Sequence, residues 1–110
     1  MTNSPQFRER FMHLDWRQQI GNLASTLARI SSRATSPQYD ELVGQLLREA
    51  ALFIEWSAAH VPPALLLDLA PLQRELLLWR RLWPQSAPRE LLALQARNYS
   101  DRLLRLADLV

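Results

Sequence analysis

Apolar residues recur along this chain at alternating spacings of four and three, the pattern of a helix that turns about 100° per residue and buries one side. Four such stripes follow one another. They are Trp16, Ile20, Leu23, Leu27, Ile30 and Ala34; Tyr39, Val43, Leu46, Ala50, Phe53 and Ser57; Leu65, Leu69, Leu72, Leu76, Trp79 and Trp83; and Leu92, Ala96, Tyr99, Leu103, Leu106 and Val110. Each predicts an amphipathic helix. The connections between them are short, so consecutive helices must run antiparallel, and the expected fold is all-α, an up-down-up-down four-helix bundle.

The polar and proline positions punctuate the same four segments. Asp15 and Gln18 stand where an N-cap and its box partner belong at the start of the first helix. Ser36 before Pro37 predicts the start of the second, with a cap and a proline at the first helical position. That helix should end near His60, ahead of Pro62 and Pro63. Ser86 and Pro88 mark the start of the fourth. Pro71, inside the third, lacks a backbone donor and predicts a kink there, or a short helix followed by a main one.

Residues 1–15 form a separate unit from the bundle domain of 16–110, because Phe7, Phe11 and Leu14 make a stripe that is out of register with the next. Either the helix restarts near Asp15, or one long helix runs from about Gln6 with two apolar faces at different heights. The pattern favours the long helix with a break or bend, its phenylalanines free to pack on a neighbour. Small residues also line one flank of the first two bundle helices: Gly21, Ala24 and Ala28, then Gly44, Ala51 and Ala58. They predict a close crossing, since short side chains let two backbones approach.

Composition narrows the fold class further. Leucine fills 23 of 110 positions and glycine only two, which favours helices over tight turns and strands. All 13 basic residues are arginine, set against 11 acids, so the net charge is only +2 and the surface is not strongly cationic. No apolar run approaches the roughly 18 to 20 residues needed to span a bilayer, and MTNSPQFRER lacks a signal-peptide core. Together with the absence of cysteine, this predicts a soluble cytoplasmic protein with no membrane span.

The missing residue types also exclude chemistry. Without cysteine there is no thiol nucleophile or thiolate ligand, and without lysine no Schiff base or P-loop lysine. His13 and His60 are the only imidazoles, and neither has a carboxylate at helical spacing to complete a metal face. No catalytic residue, metal or cofactor is expected, and the chain reads as a non-enzymatic protein.

What remains is apolar surface that the four stripes do not use. The segment Pro62–Pro84 holds nine of the leucines, and Leu67, Leu78 and Leu82 fall opposite its core stripe, among Arg74 and Arg81. On the second helix Leu52 and Trp56 do the same. A tryptophan and leucines bordered by arginine have the composition of an interface hot spot. The reading is a protein–protein interaction or assembly module, a homodimer or a partner of another protein, with Phe7 and Phe11 as an exchanged arm. The competing reading is a nucleic-acid-binding protein using Arg80, Arg81, Arg97 and Arg105, since arginine pairs with phosphate and Trp79 and Trp83 interleave with the first two. A third view of the N-terminal segment has it folding back over these leucines within its own chain.

Overall fold

The computed structural model describes residues 5–108, and Val110, the last expected member of the fourth stripe, lies outside the described residues. The chain is all-α, with five α-helices where the hydrophobic pattern predicts four: α1 Pro5–Met12, α2 Trp16–Arg33, α3 Asp40–Ser57, α4 Pro63–Leu82 and α5 Arg89–Leu106. There is no strand among the described residues. The long helix expected across residue 15 is therefore two helices. Asp15 ends the first path and starts the second: its Oδ1 accepts from the Gln18 N–H at 2.8 Å, and its own N–H donates to Gln18 Oε1 at 3.1 Å. This reciprocal cap satisfies two amides that the helix itself leaves unpaired.

The other starts are less regular. Pro37–Tyr39 forms a single 3₁₀ turn, and α3 begins only at Asp40; Ser36, the expected cap, makes no capping bond. α4 runs unbroken through Pro71, so it does not divide there. The carbonyl that Pro71 leaves without a helical donor belongs to Leu67, an exposed residue that water reaches.

Three of the four stripes form the core as spaced, with Ile20, Leu23, Leu27, Ile30, Val43, Leu72 and Leu76 fully enclosed. The fourth drifts. Leu106 is 42% exposed and Ala107 is buried in its place, so the inner face of α5 runs Leu92, Ala96, Ser100, Leu103, Ala107.

Helix α2 lies between α3 and α5, α4 packs along α3, and α1 rests on α3. The closest approach is between α2 and α5. Ser100 Oγ donates to the Ala24 carbonyl and Ser31 Oγ to the Ala93 carbonyl, each at 2.7 Å. A hydroxyl on so short a stem reaches a neighbouring backbone only where Ala24 and Ala96 keep the seam narrow. The expected crossing of two small-residue flanks is therefore corrected. Ala24 meets α5, whereas Ala51 faces α4, its carbonyl accepting from Gln73 Nε2, and Gly44 faces Trp83.

A methyl group at Gly44 would meet Trp83 Cδ1 at 3.6 Å, an ordinary van der Waals contact. Since glycine inside a helix costs about 0.5–1 kcal/mol relative to alanine, Gly44→Ala is expected to stabilise the fold by about that amount. A higher urea midpoint in equilibrium unfolding would show it; a lower one would mean the indole cannot accept the methyl.

One end of the assembly is tied by Arg89, the first residue of α5. Its guanidinium makes paired bonds to the Asp40 carboxylate at 2.7 and 3.0 Å, donates to the carbonyls of Ala34 and Pro84, and lies 4.6 Å from the centre of the Trp83 ring. The Trp83 indole N–H in turn donates to the Asp40 carbonyl at 2.8 Å. The Arg89 hydrogen bonds hold the Asp40 carboxyl below the usual carboxylate range, against a smaller opposing effect of desolvation. One planar cation thus joins the end of α2, the start of α3 and the chain leaving α4.

Candidate interaction surface

The residues proposed from sequence as an interface separate into two groups. Trp56 and Leu52 are half-buried on α3, and Trp56 lies on the side that receives α1. Phe11 is 4% exposed and stacks on Phe53 with ring centres 4.4 Å apart, Phe7 stacks on Phe53 at 5.7 Å, and Trp56 closes the cluster edge-on to Phe7 and tilted to Phe11. The phenylalanines pair with their own chain rather than standing off as an arm. The short α1 requires this: Phe7 and Phe11, one turn apart, form its aromatic side, and an eight-residue helix is stable only when that side is packed.

The second group is open. On α4, Leu67 is 79% exposed and Leu78 is 49% exposed, with Leu66 and Leu77 beside them and Arg74 and Arg81 along the same outer line. Leu82 is half-buried. Sequence reasoning overlooked the matching residues of α5. Leu91, Leu94 and Leu106 are exposed there too. Leu91 and Leu94 fall outside the Leu92–Ala96 stripe, and that off-stripe position is the signal in the sequence that marks them.

A polar seam joins the two helices under these leucines. Arg102 Nε donates to Asp68 Oδ1, and the Tyr99 hydroxyl lies near the Glu75 carboxylate. By the turn of the helix, Leu91 and Leu106 share the Arg102 side of α5, the side that meets α4. Burial first, then the Glu75 carboxylate, pushes the Tyr99 phenol up to about 12. The phenol is favoured in its neutral form by folding, so its contribution to stability is complete below about pH 10 and is lost as the pH rises through the folded value. Absorbance titration of the wild type is expected to show a phenolate step near pH 12 that is absent in Tyr99→Phe; a step at pH 10 for Tyr99 would refute the seam.

The arginines of the nucleic-acid reading, Arg80, Arg81, Arg97 and Arg105, are all exposed. Their aromatic partners are not available for stacking: Trp79 is in the core, and Trp83 is held between Asp40, Gly44 and Arg89. His13 and His60 are exposed, and no group of three metal-ligating side chains gathers among the described residues. Among those residues, no helix is long and apolar enough to cross a membrane. No protein-family model, curated protein or solved structure matches the chain.

Proposed function

We propose that the protein is a non-enzymatic assembly module of the cytoplasm that pairs with a second copy of itself through the outer face of α4 and the adjoining leucines of α5. The scaffold for this is an up-down-up-down arrangement of α2 to α5 to which α1 is added. The observation that carries the reading is the row of Leu66, Leu67, Leu77 and Leu78 left exposed along α4 and continued by Leu91 and Leu106 across the seam. Scattered surface leucines need no explanation, but a run on two neighbouring helices exceeds what a monomer ordinarily exposes.

A second copy fits this face on grounds of size. Two helices about 30 Å long and each about 10 Å across present an area of the order of the roughly 800 Å² per partner that a stable dimer buries. Leucines then form the buried centre, with Arg74 and Arg81 at the solvated edge.

Light scattering is expected to give the mass of a dimer for the wild type at micromolar concentration and of a monomer for the double variant Leu67→Glu/Leu78→Glu, with helicity unchanged in circular dichroism. A wild-type monomer would overturn self-association, and loss of helicity in the variant would place these leucines in the core. Trp56 is not a suitable probe of this interface, because it supports α1.

A further inference from the structure

A cleft of about 340 Å³ opens between α1, α2 and α3, on helices that take no part in the proposed dimer face. Each helix contributes one turn-spaced side to it. The rings of Phe7 and Phe53 form part of its apolar wall, while Arg10, Thr26, Arg29 and Glu49 line it with polar and charged groups. Its volume sits at the lower end of small-molecule pockets, about 300–1,000 Å³, which suits a metabolite-sized ligand rather than a nucleotide cofactor.

The charges define the ligand more closely than the volume does. Arg10 and Arg29 have no ion-pair partner among the described residues, although both line the same cleft. Glu49 accepts from the buried Thr26 hydroxyl through Oε1 at 3.2 Å, which fixes the carboxylate and leaves its second oxygen for another donor. A simple anion would satisfy the arginines but face Glu49. A simple cation would do the reverse. A molecule carrying both charges on one carbon, with an apolar body to lay against the rings, answers all three groups.

We propose that this cleft binds a free α-amino acid with a large apolar side chain, its carboxylate toward Arg10 and Arg29, its ammonium toward Glu49, and its side chain against Phe7 and Phe53. The site is independent of the α4 surface, so either reading can fail without the other.

The test is a titration of the full chain with L-phenylalanine, N-acetyl-L-phenylalanine and L-phenylalanine amide, followed by amide chemical shifts. Saturable shifts at Thr26, Glu49 and Phe53 are expected with L-phenylalanine, and binding about tenfold weaker for each blocked derivative, the scale of one charge-assisted hydrogen bond. Arg29→Gln, an exposed substitution, should narrow the gap between the free acid and the amide, and Glu49→Gln the gap between the free and acetylated amines. No saturable shift with L-phenylalanine would overturn the proposal. Equal or tighter binding of the acetylated or the amide form would overturn it as well, by showing that only one charge, or neither, is read.

Discussion

Replacing Trp79 with alanine is expected to lower stability by about 3–5 kcal/mol, the range for emptying a large aromatic site in a packed core. Trp79 lies in line with Leu69, Leu72 and Leu76 on the buried side of α4, and its neighbours are held by the helix on which they sit. The void therefore cannot close by simple collapse. A loss of this size takes much of the roughly 5–15 kcal/mol that holds an ordinary domain folded. Leu67→Ala, on the same helix, is expected to change the stability of the monomer by less than about 0.5 kcal/mol. Urea unfolding followed by circular dichroism separates the two. A small effect at Trp79 would return the indole to the surface and reopen the case for base stacking beside Arg80 and Arg81.

The second large effect is expected at Phe11. Its ring is buried against Phe53, and its carbonyl accepts from the buried Gln19 side chain at 3.1 Å. Alanine at this position keeps the carbonyl but removes the ring, so the substitution isolates the aromatic contact. Phenylalanine to alanine in a core costs about 3–5 kcal/mol. Here the loss is capped by the free energy that docks α1, because eight residues do not hold a helix unaided. Once undocked, α1 has nothing further to lose. The expected result is full hydrogen exchange of the α1 amides and a stability loss of about 2–3 kcal/mol, with α2 to α5 still folded. Unchanged protection of α1 would mean that Phe7 alone anchors it.

Periodicity made the inner faces of α2, α3 and α4 legible, and it did so because burial in a helix depends on residues three and four positions apart. The Asp15–Gln18 cap was readable for the same reason, as a local interaction. What periodicity lacks is any statement about which helix a face meets. Ala24 and Ala51 look alike in sequence, yet one lies under Ser100 and the other beside Gln73. The Arg89–Asp40 pair is 49 residues apart, and no spacing rule connects them. Leu106 was misread because Ala107 is too small to register as a core residue until the narrow seam with α2 is known. The candidate surface was half legible. Leu67 and Leu78 stood out against arginine, but the rings covering Trp56 come from a helix whose separation at Asp15 the hydrophobic stripe alone did not require.

The clamp at Arg89 bears on how this chain acquires its shape during synthesis. Of the five helices α5 is made last, and the groups its first residue engages, the Ala34 carbonyl and the Asp40 carboxylate, leave the ribosome some fifty residues earlier. Until then α2 has α3 for company and one side bare, with the Ala24 carbonyl open to water. Helix pairs of low sequence separation can form early, but α2 against α5 closes a loop over most of the chain. The arrival of α5 is thus a single commitment. It covers α2, seats both serine hydroxyls and ties the open end with one side chain, so that a nascent chain stopped short of Arg89 keeps α2 and α4 against α3 but leaves the far side of α2 bare and the end at Asp40 untied.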